Sequence, residues 1–156
     1  MQLDKISQQS RFWIGVVSAS HVKRGELGGF AQLCHGKSAP LRKMRAGDWL
    51  IYYSPRTEME GVPLQAFTAV GEVADDQVYE YQMSPSFVSF RRNISYISCR
   101  KVQIRDLLEQ LSFTRVNRNW GYSFRQGHFE IGREDFLMIA STMLSSEQIE
   151  YFKDLP

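Results

Sequence analysis

Residues 12–18 read Phe-Trp-Ile-Gly-Val-Val-Ser, an apolar and β-branched run of strand length that ends on a small polar residue. A run of that composition and length belongs in the interior of a sheet, so it predicts a central first strand. A second such run, Asp-Trp-Leu-Ile-Tyr-Tyr-Ser at 48–54, predicts another strand, stopped by Pro55. Residues 64–73 alternate well enough for a third strand, 87–99 carry a fourth, and 128–131 a short fifth. Between them, 21–30 hold Gly25, Gly28 and Gly29, a glycine density that predicts a long loop. Ser38 at an N-cap with Pro40 in the first turn predicts a short helix ending near Gly47. Residues 56–63 read as an exposed hairpin tip. The spacing of Ile104, Leu107, Leu108 and Leu111 predicts an amphipathic helix, 112–127 read as irregular, and 134–143 predict a helix, with a last short one from Ser145.

Five or so strands scattered among short helices, without regular strand and helix alternation, exclude a doubly wound parallel sheet. The expected architecture is α+β: a small, bent, mostly antiparallel β-barrel with short peripheral helices. With 156 residues the chain fits one domain, 1–156, with its core at about 12–143. No apolar run approaches the roughly 20 residues that cross a bilayer, and no basic-then-apolar leader opens the chain. A soluble cytoplasmic protein, monomeric or weakly dimeric, is the expectation. Cys34 and Cys99 read as free thiols.

Charge is unevenly laid out. Residues 1–54 carry a net +5 and 91–133 a net +6, while 55–82 carry −5 and 134–156 carry −4. Arginine outnumbers lysine thirteen to six, and its planar fork suits phosphate or carboxylate. Solvated surface charge explains the same pattern equally well.

Catalytic signatures are missing: there is no nucleophile elbow, no phosphate-binding or dinucleotide glycine loop and no His-Glu-x-x-His. His21, His35 and His128 have no metal-ligand spacing, and Cys34-His35 is not a zinc pair, so neither metal nor cofactor is expected. What remains is a pocket where strand ends meet the glycine-rich segment. Phe30, Tyr53 and Trp120 offer flat faces. Ser18, His21, His35, Lys37, Ser54 and Arg125 offer donors, and Arg91 and Arg92 offer cations for phosphate. Aromatic faces stack bases while hydrogen bonds read their edges, which is how single-stranded or flipped nucleotides are recognised. Core packing is the competing explanation for each ring, above all for Trp13 and Trp49 in mid-strand; Tyr52 and Tyr53 point to opposite faces, so one of them belongs to the core.

Several blocks then carry a family resemblance. They are Trp-Ile-Gly-Val-Val-Ser-Ala-Ser-His-Val at 13–22, Gly-Gly-Phe at 28–30, Cys-His-Gly-Lys at 34–37, Met-Arg-Ala-Gly-Asp-Trp-Leu-Ile-Tyr-Tyr-Ser-Pro at 44–55, Ala-Val-Gly-Glu-Val at 69–73, Phe-Arg-Arg at 90–92, and Trp120-Gly followed by Arg125. In this order they resemble the EVE domain family, above all its stand-alone bacterial proteins. The resemblance implies a PUA-like fold, related to the PUA, ASCH, YTH and SRA domains. It also implies a non-catalytic reader that takes a modified base, such as a modified cytosine in DNA or a base in RNA. By position it implies a pocket of Ser18, Cys34, His35, Gly36, Lys37, Tyr53, Ser54, Trp120 and Arg125. Cys34-His35-Gly36 stands where the family's eukaryotic branch has a Trp-Asp-Gly turn. Two alternatives remain open: an ASCH-like amidohydrolase of modified nucleosides using Lys37 with Thr68 or Glu72, and a small-molecule sensor.

Overall fold

A computed structural model describes residues 8–153; the two ends of the expected 1–156 domain, 1–7 and 154–156, lie outside the described residues. The strands are β1 (Phe12–Val16), β2 (Phe30–Ala31), β3 (Trp49–Arg56), β4 (Pro63–Ser84), β5 (Phe87–Ile97), β6 (Val102–Gln103) and β7 (His128–Ile131). The α-helices are α1 (Ala19–Gly28), α2 (Ser38–Lys43), α3 (Arg133–Met143) and α4 (Ser146–Lys153). All seven strands join one sheet in the order β2-β5-β4-β3-β1-β7, with β6 paired to β4. β1 and β3 run parallel, Phe12 opposite Trp49 through Val16 opposite Tyr53, and the other pairings are antiparallel. The α+β, mostly antiparallel expectation holds. The sheet does not close, because β2 and β7 end the path without pairing with each other.

The unbroken apolar runs of β1 and β3 follow from burial on both faces. Phe12, Ile14, Trp49, Ile51 and Tyr53 pack on one side with Phe136, Ile139 and Met143 of α3. Trp13, Leu50 and Tyr52 pack on the other with Val22 of α1, and with Leu41 and Met44 at α2. Asp48 locks the start of β3: its carboxylate accepts from the backbone N–H of Arg11 (3.0 Å) and Arg45 (2.9 Å) and from Trp13 Nε1 (3.0 Å). Buried Arg92 ties α2 to the bend of β4, donating to the carbonyls of Leu41 (2.8 Å), Met44 (2.6 Å) and Asp75 (2.7 Å).

Three expectations are corrected. Residues 21–30 are not a loop: most of them form α1, whose glycines serve packing. A Cβ on Gly25 would meet the Phe30 carbonyl oxygen at 2.6 Å, and Gly29 ends the helix at φ 71°. Residues 104–111 are not an amphipathic helix. Ile104–Asp106 make a 3-10 turn and the chain continues in turns, with Leu107 and Leu111 still buried. Backbone turn bonds such as Leu111 N–H to the Leu107 carbonyl (3.2 Å) hold it, and side chains anchor it: Thr114 Oγ1 donates to the Leu108 carbonyl (2.7 Å), and Ser112 N–H to Asp135 of α3 (2.9 Å). The third strand does not stop at Val73. β4 continues past an irregularity between Val73 and Val78, where Asp75 accepts from Asn93 Nδ2 at 2.9 Å. Among the described residues no helix is long and apolar enough to cross a membrane.

Candidate functional site

The parallel pairing of β1 and β3 aims both carboxyl ends at one place, and a cavity of about 560 Å³ opens there. That volume is within the range for small-ligand sites. The end of β1 delivers Val16, the two residues after it Val17 and Ser18, and the first turn of α1 delivers His21. Gln32 follows β2; Cys34 and His35 follow in the next turn. The end of β3 and its hairpin tip bring Pro55, Arg56, Glu58 and Met59. Phe87 comes from the start of β5, and Arg125, Gln126 and Gly127 from the segment before β7.

The turn that carries Cys34 and His35 is unusual backbone. Cys34, His35 and Gly36 have φ of 49°, 62° and 83°, three successive left-handed residues of which two carry side chains. Such geometry is costly unless the surroundings impose it. Here Gly36 N–H donates to the Leu33 carbonyl (3.0 Å), and Gly36 lies against β5, where a Cβ would come within 2.7 Å of Ser89 Cβ. Cys34 Sγ sits 4.0 Å from the Gln126 carbonyl across the cavity's edge. Burial pushes the Cys34 thiol above its ordinary value, although Lys37 and Lys43 pull the other way. It is therefore a protonated, unactivated thiol at neutral pH.

The polar floor is made by His21 and Gln32. Burial, with a smaller contribution from Arg24, lowers the His21 imidazole below its ordinary value, so it is neutral at pH 7. Its Nε2 is buried without a hydrogen-bond partner. Gln32, only 6% exposed, uses its side-chain oxygen to accept from Ser89 Oγ (3.0 Å) and Arg91 Nε (3.2 Å). Arg91 is held between two rings, 3.8 Å from the Phe30 centroid and 3.6 Å from that of Tyr81.

Of the residues expected at a site, Ser18, His21, Cys34, His35 and Arg125 line this cavity. Gly36 shapes the same turn, and Lys37 follows it as an exposed residue. Tyr53 and Trp120, expected as stacking faces, do not line it. Tyr53 is buried against Phe124 (4.1 Å between centroids), and Trp120 packs edge-on to Phe124 (6.1 Å). Ser54 is buried and paired with Thr68, 2.8 Å between hydroxyls. Phe30 lies under Arg91. Arg91 and Arg92, expected to meet phosphate, do not line the cavity: Arg91 lies between two rings and Arg92 donates to backbone carbonyls. Lys37, Thr68 and Glu72, the set expected of an amidohydrolase, do not line the cavity. Sequence reasoning missed Gln32, Met59 and Phe87. Met59, an apolar side chain 80% exposed in an acidic hairpin tip, was the visible signal. Gln32 left no signal beyond one polar residue in an apolar stretch.

Fold and site together define a small PUA-like domain with a pocket at the carboxyl ends of two parallel strands. The EVE domain matches residues 11–142, and the chain belongs to that family. It is 51% identical over 86% of its length to the UPF0310 protein YdcG of Bacillus subtilis, covering 92% of that protein. Among solved structures it is similar to the YTH domain of Zygosaccharomyces rouxii MRB1 protein, solved in complex with N6-methyladenosine RNA. That likeness has a TM-score of 0.50, 17% identity, and covers 70% of this chain and 71% of that one. It is also similar to the Mmi1 YTH domain, with a TM-score of 0.53, 12% identity, and coverage of 87% and 76%.

Proposed function

We propose that this protein is a binding module that receives one modified nucleobase of a nucleic acid in the cavity at the ends of β1 and β3. The observation that carries the reading is how that cavity is lined. Val16, Met59 and Phe87 supply apolar sides, Ser18, His21 and Gln32 a polar floor, and Arg56 and Arg125 cations. A flat heteroaromatic ring with a hydrogen-bonding edge, attached to a phosphate chain, matches all three. That a protein of the same fold was solved on N6-methyladenosine RNA supports the reading.

The test is fluorescence anisotropy with short labelled DNA and RNA strands, each carrying one 5-methylcytosine, 5-hydroxymethylcytosine or N6-methyladenine, beside unmodified counterparts. Saturable preference for one modified strand is expected. Phe87→Ala should weaken it about tenfold, the loss of one stacking surface worth ~1–3 kcal/mol. Equal binding of every strand, or none, overturns the reading.

A further inference from the structure

Gln32 lines the cavity while its side chain is almost wholly buried, and the chemistry of its neighbours fixes which way its amide points. An amide side chain is nearly symmetric in shape, so its two ends are told apart by their partners. A guanidinium has only donors. The end of Gln32 that lies 3.2 Å from Arg91 Nε is therefore the oxygen, and Ser89 Oγ adds a second donor to the same atom at 3.0 Å. Two donors fill both lone pairs of Oε1. What the side chain has left to offer is the pair of N–H groups on Nε2.

Arg91 is itself packed between neighbours. Phe30 and Tyr81 cover both faces of its guanidinium, and Met83 Sδ lies 3.3 Å from one terminal nitrogen. A cation clamped between rings and pointed at an amide oxygen locks that amide's orientation. The lock sits on β5 beside Ser89, against which the left-handed turn of Cys34–Gly36 is packed.

We propose that Gln32 determines specificity in the cavity as a fixed hydrogen-bond donor, with Arg91 as its positioning residue. The inference rests on the base-binding reading above and narrows it. The ligand edge that reaches Gln32 carries an acceptor, a keto oxygen or an unprotonated ring nitrogen. An exocyclic amine aimed at the same point is turned away, because two donors would face each other with neither satisfied.

The experiment uses the full chain and the same strands carrying 5-methylcytosine, 5-hydroxymethylcytosine or N6-methyladenine, with melting temperature measured on each variant. Gln32→Met is expected to weaken the strand that wild type prefers by tenfold or more, and to weaken it more than the unmodified strand. Gln32→Glu keeps an acceptor toward Arg91 while removing both N–H groups, so it preserves the lock should the Met variant fold poorly. It is expected to lose more on the preferred strand than on the unmodified one. Arg91→Met frees the amide to rotate, and is expected to shrink the preference between the two strands; an Arg91 of purely structural importance would lower the melting temperature and leave the preference alone. Wild-type preference that survives unchanged in folded Gln32→Met or Gln32→Glu overturns the role of Gln32 while the base-binding reading stands. A wild type that prefers no strand overturns both.

Discussion

His128 is held in surroundings that suit only its neutral form. Its ring stacks on Trp13 with centroids 4.8 Å apart and planes 8° from parallel, and neither ring nitrogen has a hydrogen-bond partner among the described residues. Burial, with a smaller effect of Lys43, lowers its pKa from 6.5 to about 4. The folded pKa is below the unfolded one, so the unfolded chain takes the proton first. The stability this residue contributes is complete above pH 6.5 and is lost as pH falls toward 4. Between pH 7 and pH 5 the loss is about 2 kcal/mol. In urea denaturation at the two pH values, His128→Phe is expected to remove most of that difference; an unaltered pH dependence would show that other groups cause it. Arg92 shows the same strictness with charge kept: 2% exposed, it stays buried because backbone carbonyls receive its donors.

Among the elements, the turn at Cys34–Gly36 is the one that the cavity depends on most directly. At Gly36 an alanine would need φ 83° and a Cβ 2.7 Å from Ser89 Cβ, 3.2 Å from Ser89 Cα and 3.3 Å from Phe87 Cζ. Strain and overlap against backbone predict a loss of about 2 kcal/mol or more in Gly36→Ala, together with weaker binding as Cys34, His35 and Phe87 shift. Gly121 is the control: nothing lies within 4 Å of a Cβ placed there, so Gly121→Ala should change stability by less than about 0.5 kcal/mol. Equal melting temperatures for the two variants would mean that the turn relaxes freely. These elements also show what the sequence could reveal. β1, β3, β5, β7 and α3 were legible because long apolar runs and clear periodicity survive tertiary context. α1 was hidden because Gly25 looks like a breaker in sequence, yet it lets the helix approach the Phe30 carbonyl; that constraint exists only once β2 is in place. The spacing of Ile104, Leu107 and Leu111 reported burial correctly and conformation wrongly, since turns anchored by Thr114 and Asp135 bury the same side chains. Of the expected residues that line the cavity, Ser18, His21, His35 and Arg125 stood out as donors near strand ends or the glycine-rich segment, whereas Cys34 came only from the family resemblance. Tyr53 and Trp120 were misleading because an aromatic at a strand end or in an irregular segment can turn inward, as both do toward Phe124. The orientation of Gln32 depends on Arg91, which is 59 residues away in sequence, and no local pattern contains it.

For the molecule as a whole, a net charge of +2 is too small to hold a polyanion by itself, so the placement of individual cations at the cavity decides the electrostatics. Arg125 is exposed and lines the cavity, with its guanidinium 5.8 Å from the Tyr122 ring. Arg56 lines it too, but donates to the Gly61 carbonyl (2.8 Å) and is partly held by its own hairpin. A cation that meets a phosphate releases counterions on binding, and each such contact adds about 0.7 to the slope of log affinity against log salt for a single strand. Arg125→Ala is therefore expected to flatten that slope by about 0.7 and to weaken modified and unmodified strands equally. On the proposed reading, substitution of Gln32 should do the reverse, lowering preference while leaving the slope unchanged, because its amide would meet a base edge rather than a phosphate. Titrating both variants at several salt concentrations separates the two contributions. If Arg125→Ala alters preference and leaves the slope intact, Arg125 touches the base, and the phosphate path must then run past other residues of the rim.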